Sequence, residues 1–153
     1  MIQVTHLGFP RIGARRELKQ SLESFWKGES TAQSLHDTAR ELRQRHWRLA
    51  QDAGVDVVPC NDFSLYDHVL DTAVLFDAIP ASHRELFDAD PLAGYFALAR
   101  GLQDADHDLH ALEMTKWFDT TTTTSSRSSR TTSVSACAAT SRWPNCARPG
   151  RSD

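Results

Sequence analysis

Apolar residues recur at helical spacing over two segments near the start of the chain. The first segment, residues 15–27, is followed by Gly28, and the second, residues 31–53, is followed by Gly54. Glycine is suited to end a helix, so the pattern predicts two consecutive helices. Their predicted packing faces carry Leu18, Leu22, Phe25 and Trp26 in the first, and Leu35, Ala39, Leu42, His46, Leu49 and Ala53 in the second.

Two short apolar runs are typical of strands. Residues 3–9 end at Pro10 and lead into a turn that contains Gly13, and residues 55–59 have the character of a buried strand. Turns that follow strands often carry the functional residues of a protein. We therefore expect candidate functional residues directly after each run.

Two more helices are predicted after the second strand. Ser64 and Asp67 resemble a variant of the capping box that opens a helix towards Phe76. Asp90 and Pro91 resemble an N-cap with proline at the first helical position, and this helix is expected to end at Gly101. Residues 103–110 are expected to form a polar loop.

The alternation of strands and helices predicts an α/β fold with a parallel sheet covered by helices. Only the first few βα units are present in this sequence. A closed (β/α)₈ barrel takes roughly 250 residues, so we expect at most an incomplete barrel of this type.

The composition changes at Thr120. Residues 1–119 hold 19 of the 20 acidic residues and all seven histidines. Residues 120–153 hold 16 Ser or Thr, five Arg and no Leu, Ile or Phe. Such a segment cannot bury enough apolar surface to offset the entropy of ordering it. We therefore expect one domain over residues 1–119 and a disordered tail over residues 120–153.

Charge and hydropathy exclude several classes of protein. Residues 1–119 carry 12 Lys plus Arg against 19 Asp plus Glu, and this acidic balance argues against nucleic acid as a main partner. The sequence has no apolar run near the ~20 residues that cross a bilayer, and its start lacks the pattern of a signal peptide. We expect a soluble, cytoplasmic protein without a membrane partner.

The three cysteines lack the paired spacing that marks a zinc site or a disulfide framework. Cys137 and Cys146 lie in the predicted tail. Cys60 ends an apolar run, so we expect it to be a small buried hydrophobic residue.

Basic residues follow the first predicted strand. They are Arg11, Arg15, Arg16 and Lys19. Arg16 and Lys19 lie three residues apart and therefore share a helix face, where they could hold a carboxylate-rich or phosphate ligand near the helix N-terminus. The alternative is a solvated basic face without a ligand.

Two further polar clusters follow the later strand candidates. Asp62, Asp67 and His68 could perform acid–base chemistry, although helix capping explains the acids equally well. Lys116 lies among apolar neighbours and is either a ligand cation or a lysine whose ammonium group reaches past them to solvent. Spacing leaves both pairs of alternatives open.

Five blocks of this sequence resemble the start of cobalamin-independent methionine synthase, and they occur in the family's order. The resemblance covers residues 1 to about 120. The blocks are His6-Leu7-Gly8-Phe9-Pro10-Arg11-Ile12-Gly13, Arg15-Arg16-Glu17-Leu18-Lys19, Glu41-Leu42-Arg43-Gln44-Arg45-His46-Trp47, Asp62-Phe63 with Tyr66-Asp67-His68-Val69-Leu70, and Glu113-Met114-Thr115-Lys116-Trp117-Phe118.

The resemblance implies transfer of a methyl group from 5-methyltetrahydropteroyltriglutamate to homocysteine. It implies an enzyme of two face-to-face (β/α)₈ barrels that uses no cobalamin. A zinc ion in the second barrel, held by His, Cys, Cys and Glu, activates the homocysteine thiol in that family. None of the three cysteines here matches those ligands, so we expect neither a catalytic residue nor a metal ligand in this chain.

The resemblance also implies substrate contacts within this chain. The family segment that matches Arg16, Glu17, Leu18 and Lys19, and the lysine that matches Lys116, bind the folate substrate. Their cations suit the polyglutamate tail of that substrate. No protein partner is implied.

A one-nucleotide deletion accounts for the unusual tail. After the motif that matches residues 117–120, the family continues Asn-Tyr-His-Tyr, an apolar residue and Val-Pro-Glu, which can be encoded as AAC TAC CAC TAC ATC GTC CCG GAG. Without the first A, the same bases encode Thr-Thr-Thr-Thr-Ser-Ser-Arg, the sequence of residues 121–127. The 14 Arg against three Lys fit these G+C-rich codons. We therefore interpret the tail as out of frame.

Three accounts of the chain remain open at this level. By descent it is a truncated zinc-dependent methyltransferase. In behaviour it is an inactive fragment, because methyl transfer needs both substrates and the metal on one scaffold, and because its strands end in unpaired edges. As a binding module it would keep affinity for folate polyglutamate, or its tail would bind polyanions.

We predict that the genomic DNA, shifted by one base after the codon for Thr120, encodes Asn-Tyr-His-Tyr and the continuation of the first barrel. Resequencing the locus and its downstream flank tests this. If the shifted frame reads otherwise, the deletion hypothesis is wrong.

Overall fold

Helices dominate the computed structural model, which describes residues 2–116 and 123–125. Within these ranges there are five helices and four short strands. They are α1 (Glu17–Trp26), α2 (Ala32–Asp52), α3 (His68–Leu75), α4 (Ala81–Ala89), α5 (Pro91–Arg100), β1 (Leu102–Gln103), β2 (Asp108–Leu109), β3 (Met114–Lys116) and β4 (Thr123–Ser125). Among the described helices, none combines the length and the apolar character needed to span a membrane.

The two helices predicted near the start of the chain are confirmed. α1 is capped at Lys27, and Gly28 follows with a φ of 74°, which a glycine adopts without steric cost. α2 begins after Thr31, whose hydroxyl accepts a hydrogen bond from the Ser34 N–H at 3.2 Å. Their boundaries agree with the prediction to within two residues.

The packing face of α2 differs from the prediction at its C-terminal end. Ala50 is buried, whereas Leu49 and Ala53 are exposed. The 3.6-residue period explains the change, because Ala50 lies four residues after the buried His46 and continues the same stripe. The prediction for Leu49 and Ala53 was therefore wrong.

The two predicted strands meet at a single parallel bridge between Thr5 and Val57. The backbone N–H groups of Asp56 and Val57 both donate to the Val4 carbonyl oxygen, at 3.0 and 3.2 Å. The prediction of regular strands over residues 3–9 and 55–59 was therefore wrong, although the two segments do run parallel. A parallel pair normally lies inside a sheet, and the described residues supply no third strand beside it.

Burial of the second segment was also wrongly predicted. Val57 is 48% exposed, and Cys60 directly after it is exposed as well. Parallel strands become buried when helices or further strands cover both faces. The described part of the chain provides no such cover over Val57 and Cys60.

The capping of the later helices is confirmed in one case and corrected in the other. Asp90 caps α5 by accepting hydrogen bonds from the N–H groups of Leu92 and Ala93, at 3.0 and 3.1 Å. For α3 the N-cap is Asp67, which accepts from the Leu70 N–H at 2.9 Å. Ser64 was wrongly predicted as a capping residue, because the helix begins three residues later than a Ser64 cap requires.

Two elements were not predicted. α4 buries only His83 and Phe87, so its apolar stripe is too short to be distinguished from a loop. The predicted loop over residues 103–110 belongs to a small hairpin, in which Leu102 pairs with Leu109. With two residues in each strand, β1 and β2 are too short to show an alternating pattern.

The hydrophobic core lies between the helices. Leu18 and Leu35 have no exposed surface, and their helices α1 and α2 pack against each other. The remaining buried members of the cluster come from both helix groups and from the segment before α3. They are Leu22, Ala39, Leu42, Leu65, Leu70, Phe87, Tyr95, Phe96 and Leu98.

Aromatic rings join the first helix pair to the later helices. The ring of Phe96 on α5 lies 5.7 Å from that of Phe25 and 5.5 Å from that of Trp26, both on α1. The guanidinium of Arg100 lies over the Trp26 ring, 3.9 Å from its centroid. Such contacts add about 0.5–1.5 kcal/mol each beyond the area that they bury.

The predicted tail falls mostly outside the described residues. Thr123–Ser125 form β4, which pairs antiparallel with β3. Residues 120–122 and 126–153 lie outside the described ranges, and disorder of the tail stays a prediction.

Gly94 allows α5 to approach α4 closely. A Cβ atom added at Gly94 would lie 2.5 Å from the Phe87 Cα. Helix propensity alone predicts that Gly94→Ala stabilises the protein by up to about 1 kcal/mol. We predict the opposite, a loss of about 1–3 kcal/mol, because the added methyl meets backbone that cannot move aside freely. Urea unfolding measures the sign, and a net stabilisation would contradict this packing.

Candidate functional site

The turn between the first extended segment and α1 is closed by its own backbone. The Arg16 N–H donates to the Gly13 carbonyl and the Leu18 N–H to the Ile12 carbonyl, both at 3.1 Å. Arg16 is the N-cap residue and adopts a left-handed conformation with a φ of 63°, which is costly for a residue that carries a Cβ. Its side chain makes no capping hydrogen bond.

Glu17 fixes this turn against α2. Its Oε2 accepts from the backbone N–H of Arg15 at 2.9 Å, and its Oε1 accepts from the guanidinium of Arg45 at 2.9 Å. The hydrogen bond to its own backbone N–H, followed by that from Arg45, lowers the pKa of Glu17 to about 2. Glu17 therefore stays ionised and acts as an internal anchor of the turn.

Arg16 and Lys19 are exposed beside that anchor, at the start of α1. The Lys19 ammonium lies 3.5 Å from the Glu23 carboxylate, one turn further along the helix. Because both partners are about half exposed, this ion pair contributes little to stability and can open for another anion. Leu18, between the two cations, is completely buried in the core.

The polar residues that follow the two parallel segments contact each other. The Phe9 N–H donates to the Asp62 carboxylate at 2.9 Å, and Arg11 donates from Nη1 to the Leu65 carbonyl at 2.8 Å. These contacts cross more than fifty residues of sequence. They join the turn before α1 to the loop before α3.

The hydroxyl of Tyr95 organises that loop from α5. It accepts from the backbone N–H groups of Tyr66 and Asp67, at 3.2 and 3.3 Å, and donates to Asp71 Oδ1 at 2.6 Å. The Ser64 hydroxyl lies 3.4 Å from it. One buried oxygen therefore connects α5, α3 and the loop that precedes α3.

Burial shifts the proton affinities of this network. It raises the pKa of Asp71, although hydrogen bonds from Tyr95 and Ser64 oppose the shift. It also raises the pKa of Tyr95, together with the nearby Asp71 carboxylate. Tyr95 thus remains a neutral donor to Asp71 at physiological pH.

The structure assigns structural roles to the two acids considered for acid–base chemistry. The Asp67 carboxylate caps α3, and Asp62 holds the backbone of Phe9. His68 is exposed at the start of α3. Capping is therefore the interpretation that the geometry favours for Asp67.

Sequence analysis missed Tyr95 and Asp71. Tyr95 stands in an apolar helix without a motif around it, and Asp71 occupies an unremarkable helical position. A usable signal exists for the tyrosine, because a tyrosine within an apolar stripe needs a polar partner for its hydroxyl. The identity of that partner depends on tertiary contacts.

Lys116 is the last residue of β3. Its side chain lies outside the described part of the structure, so its predicted contact with the substrate stays a prediction. The same holds for the predicted contacts of Arg16, Glu17, Leu18 and Lys19.

Within the described ranges, no group of three His, Cys, Asp or Glu side chains is arranged to hold a metal ion. The described residues therefore do not fit a zinc site.

Known proteins match the same part of the chain. The model of the family described as "Cobalamin-independent synthase, N-terminal domain" matches residues 3–122. The chain therefore belongs to the cobalamin-independent synthase family, in the part that corresponds to its N-terminal domain.

Individual relatives carry one shared name, 5-methyltetrahydropteroyltriglutamate–homocysteine methyltransferase. A relative from Xylella fastidiosa strain M23 is 74% identical over 120 residues, which is 78% of this chain and 16% of the relative. One from Bifidobacterium animalis is 56% identical over 113 residues, 74% of this chain and 15% of the relative. One from Candida albicans is 50% identical over 125 residues, 78% of this chain and 16% of the relative. The chain spans about a sixth of the length of these relatives.

We predict that Tyr95→Phe destabilises the protein by about 1–3 kcal/mol, because it leaves buried N–H groups and a carboxylate without their shared partner. Asp71→Asn is the matched comparison, since it keeps an acceptor for the hydroxyl and removes a poorly solvated charge. Denaturant unfolding should show a smaller loss for Asp71→Asn. The reverse order would mean that the charge, rather than the Tyr95 hydroxyl, holds the network together.

Proposed function

We propose that this chain is the N-terminal part of an enzyme that transfers a methyl group from 5-methyltetrahydropteroyltriglutamate to homocysteine. Its own contribution is to bind the polyglutamate portion of the folate substrate. The observation that carries the proposal is the pair of exposed cations, Arg16 and Lys19, at a helix start fixed by Glu17. The names of the relatives support the choice of substrate.

The geometry favours an anionic ligand bound through side chains. The N–H groups of Arg16 and Leu18 are occupied by carbonyls of the preceding turn, so they are not available to a ligand. The side chain of Arg16 is exposed, and that of Lys19 needs only to exchange the Glu23 carboxylate for one from the ligand. The positive end of the α1 dipole lies at the same place and favours negative charge.

The backbone at Arg16 also supports a functional role for this turn. A left-handed arginine costs free energy that a glycine would not incur, and strain of this kind is concentrated at functional sites. Glu17, Arg45 and the buried Leu18 together hold the residue in that conformation. The strained backbone thereby sets the direction in which the arginine side chain leaves the helix.

We further propose that residues 1–119 are the beginning of a (β/α)₈ barrel, with the parallel contact of Thr5 and Val57 as its first strand pair. The resemblance assigns zinc and the homocysteine site to a second barrel, outside the part of the family that residues 3–122 match. We therefore propose that these residues contribute to substrate binding and do not transfer the methyl group by themselves. The chain acts in the cytoplasm.

Binding of the folate substrate tests the proposed cations. The 153-residue chain should bind 5-methyltetrahydropteroyltriglutamate more tightly than the monoglutamate. Arg16→Ala with Lys19→Ala should weaken binding of the triglutamate by about tenfold or more, because two charge-assisted contacts are lost. Lys116→Ala should weaken it too. Isothermal titration calorimetry at low salt measures the affinities.

Lys27→Ala is the matched control, since this exposed cation lies at the opposite end of α1. It should leave affinity for the triglutamate unchanged. Equal binding of the two folates, or an equal loss with Lys27→Ala, would contradict a specific polyglutamate site. Growth of a methionine auxotroph on this chain alone would contradict its proposed inactivity.

A further inference from the structure

Two guanidinium groups meet at the carboxylate of Glu17. Arg45 of α2 donates from Nη2 to Glu17 Oε1 at 2.9 Å. The Nε atom of Arg15 lies 3.7 Å from the same oxygen. Arginines from the turn before α1 and from α2 therefore converge on one carboxylate, next to Arg16 in sequence.

The guanidinium of Arg45 keeps N–H donors that Glu17 does not occupy. A guanidinium carries several N–H groups in a planar fork, and different edges of the fork can bind different carboxylates. The Arg45 side chain is 43% exposed, and among the described residues Glu17 is the hydrogen-bond acceptor that it contacts. The remaining donors are therefore accessible to a ligand at the surface.

Cations outnumber acids among the described side chains around Glu17. The cations are Arg15, Arg16, Lys19 and Arg45, and the carboxylates are Glu17 and Glu23. Residues 1–119 as a whole are acidic, with 12 Lys plus Arg against 19 Asp plus Glu. A local excess of positive charge on an acidic protein attracts an anionic ligand to this place.

The polyglutamate tail of the folate substrate can use this guanidinium, and the inference rests on the function proposed above. Each further glutamate adds one carboxylate to the tail. Arg16 and Lys19 suffice to pair the carboxylates of a single glutamate. A third cation therefore finds a partner only in a longer tail.

We propose that Arg45 binds a carboxylate of the polyglutamate tail beyond the first glutamate. One edge of its guanidinium holds Glu17 and the other faces the ligand, so the residue contributes to the turn and to the recognition of tail length. Arg45 thereby extends the binding site from α1 onto α2 and helps to set the preference for the triglutamate over the monoglutamate.

The test compares the affinities of the 153-residue chain for 5-methyltetrahydropteroyltriglutamate and for the monoglutamate, by isothermal titration calorimetry at low salt. Arg45→Gln removes the charge and keeps a side-chain amide that can donate to Glu17. It should weaken binding of the triglutamate by about three- to tenfold and leave binding of the monoglutamate unchanged. Arg45→Lys should lose less, because lysine keeps the charge without the planar fork.

Arg40→Gln is the matched control. Arg40 also lies on α2, its side chain is 45% exposed, and it pairs with Asp37 at 2.6 Å. The substitution removes the same charge from the same helix, at a residue that is paired with a carboxylate of α2 itself. It should leave both affinities unchanged. Circular dichroism confirms that each variant keeps its helices.

Contrary results separate this inference from the proposed function. If Arg45→Gln leaves both affinities unchanged while Arg16→Ala with Lys19→Ala weakens binding of the triglutamate, the role of Arg45 is wrong and the proposed function stands. Equal weakening of both folates by Arg45→Gln would mean that Arg45 only supports the turn. An equal loss with Arg40→Gln would mean that general charge attraction is measured. Equal binding of the two folates by the unsubstituted chain would overturn the proposed function, and this inference with it.

Discussion

The hydrogen bonds of the Tyr95 hydroxyl fix the loop before α3 and, through that loop, the turn before α1. This one oxygen holds the backbone of Tyr66 and Asp67 and binds Asp71. The loop it fixes offers the Leu65 carbonyl to Arg11, and Arg11 begins the turn that leads to α1. The placement of the exposed cations on α1 therefore depends on a buried tyrosine almost eighty residues away. Among the described residues, where strand–strand contacts are few, side-chain hydrogen bonds replace the sheet as the link between distant segments.

Local signals predicted α1, α2 and α5 because each carries a recognisable start or stop residue, whereas α4 has none. Asp90 caps α5 as the sequence indicates, and Gly28 and Gly54 follow the ends of α1 and α2. Strands lack this independence, since a strand is completed by its neighbours. Residues 3–9 and 55–59 have the right composition but form a single bridge. Their apolar pattern is typical of strands with neighbours on both sides, and the described residues do not provide those neighbours.

The candidate site was predictable only in part for the same reason. Helical spacing and family resemblance both single out Arg16 and Lys19, and their contact with the substrate stays a prediction. The anchoring role of Glu17 depends on Arg45, twenty-eight residues later, and no local pattern reveals it. Asp67 shows the opposite case, in which two local explanations competed and the contact it makes is the local one, the cap of α3. A sequence thus shows which polar residues need a hydrogen-bond partner, whereas the tertiary structure determines which residue that partner is.

The exposure of Leu7 has a consequence for the life of the chain in a cell. Chaperones and proteases recognise exposed apolar side chains on extended backbone, and both conditions are met along residues 2–9. A polypeptide with this feature would be removed quickly unless something covers it. The steady-state amount of this chain would then report how often these residues are covered.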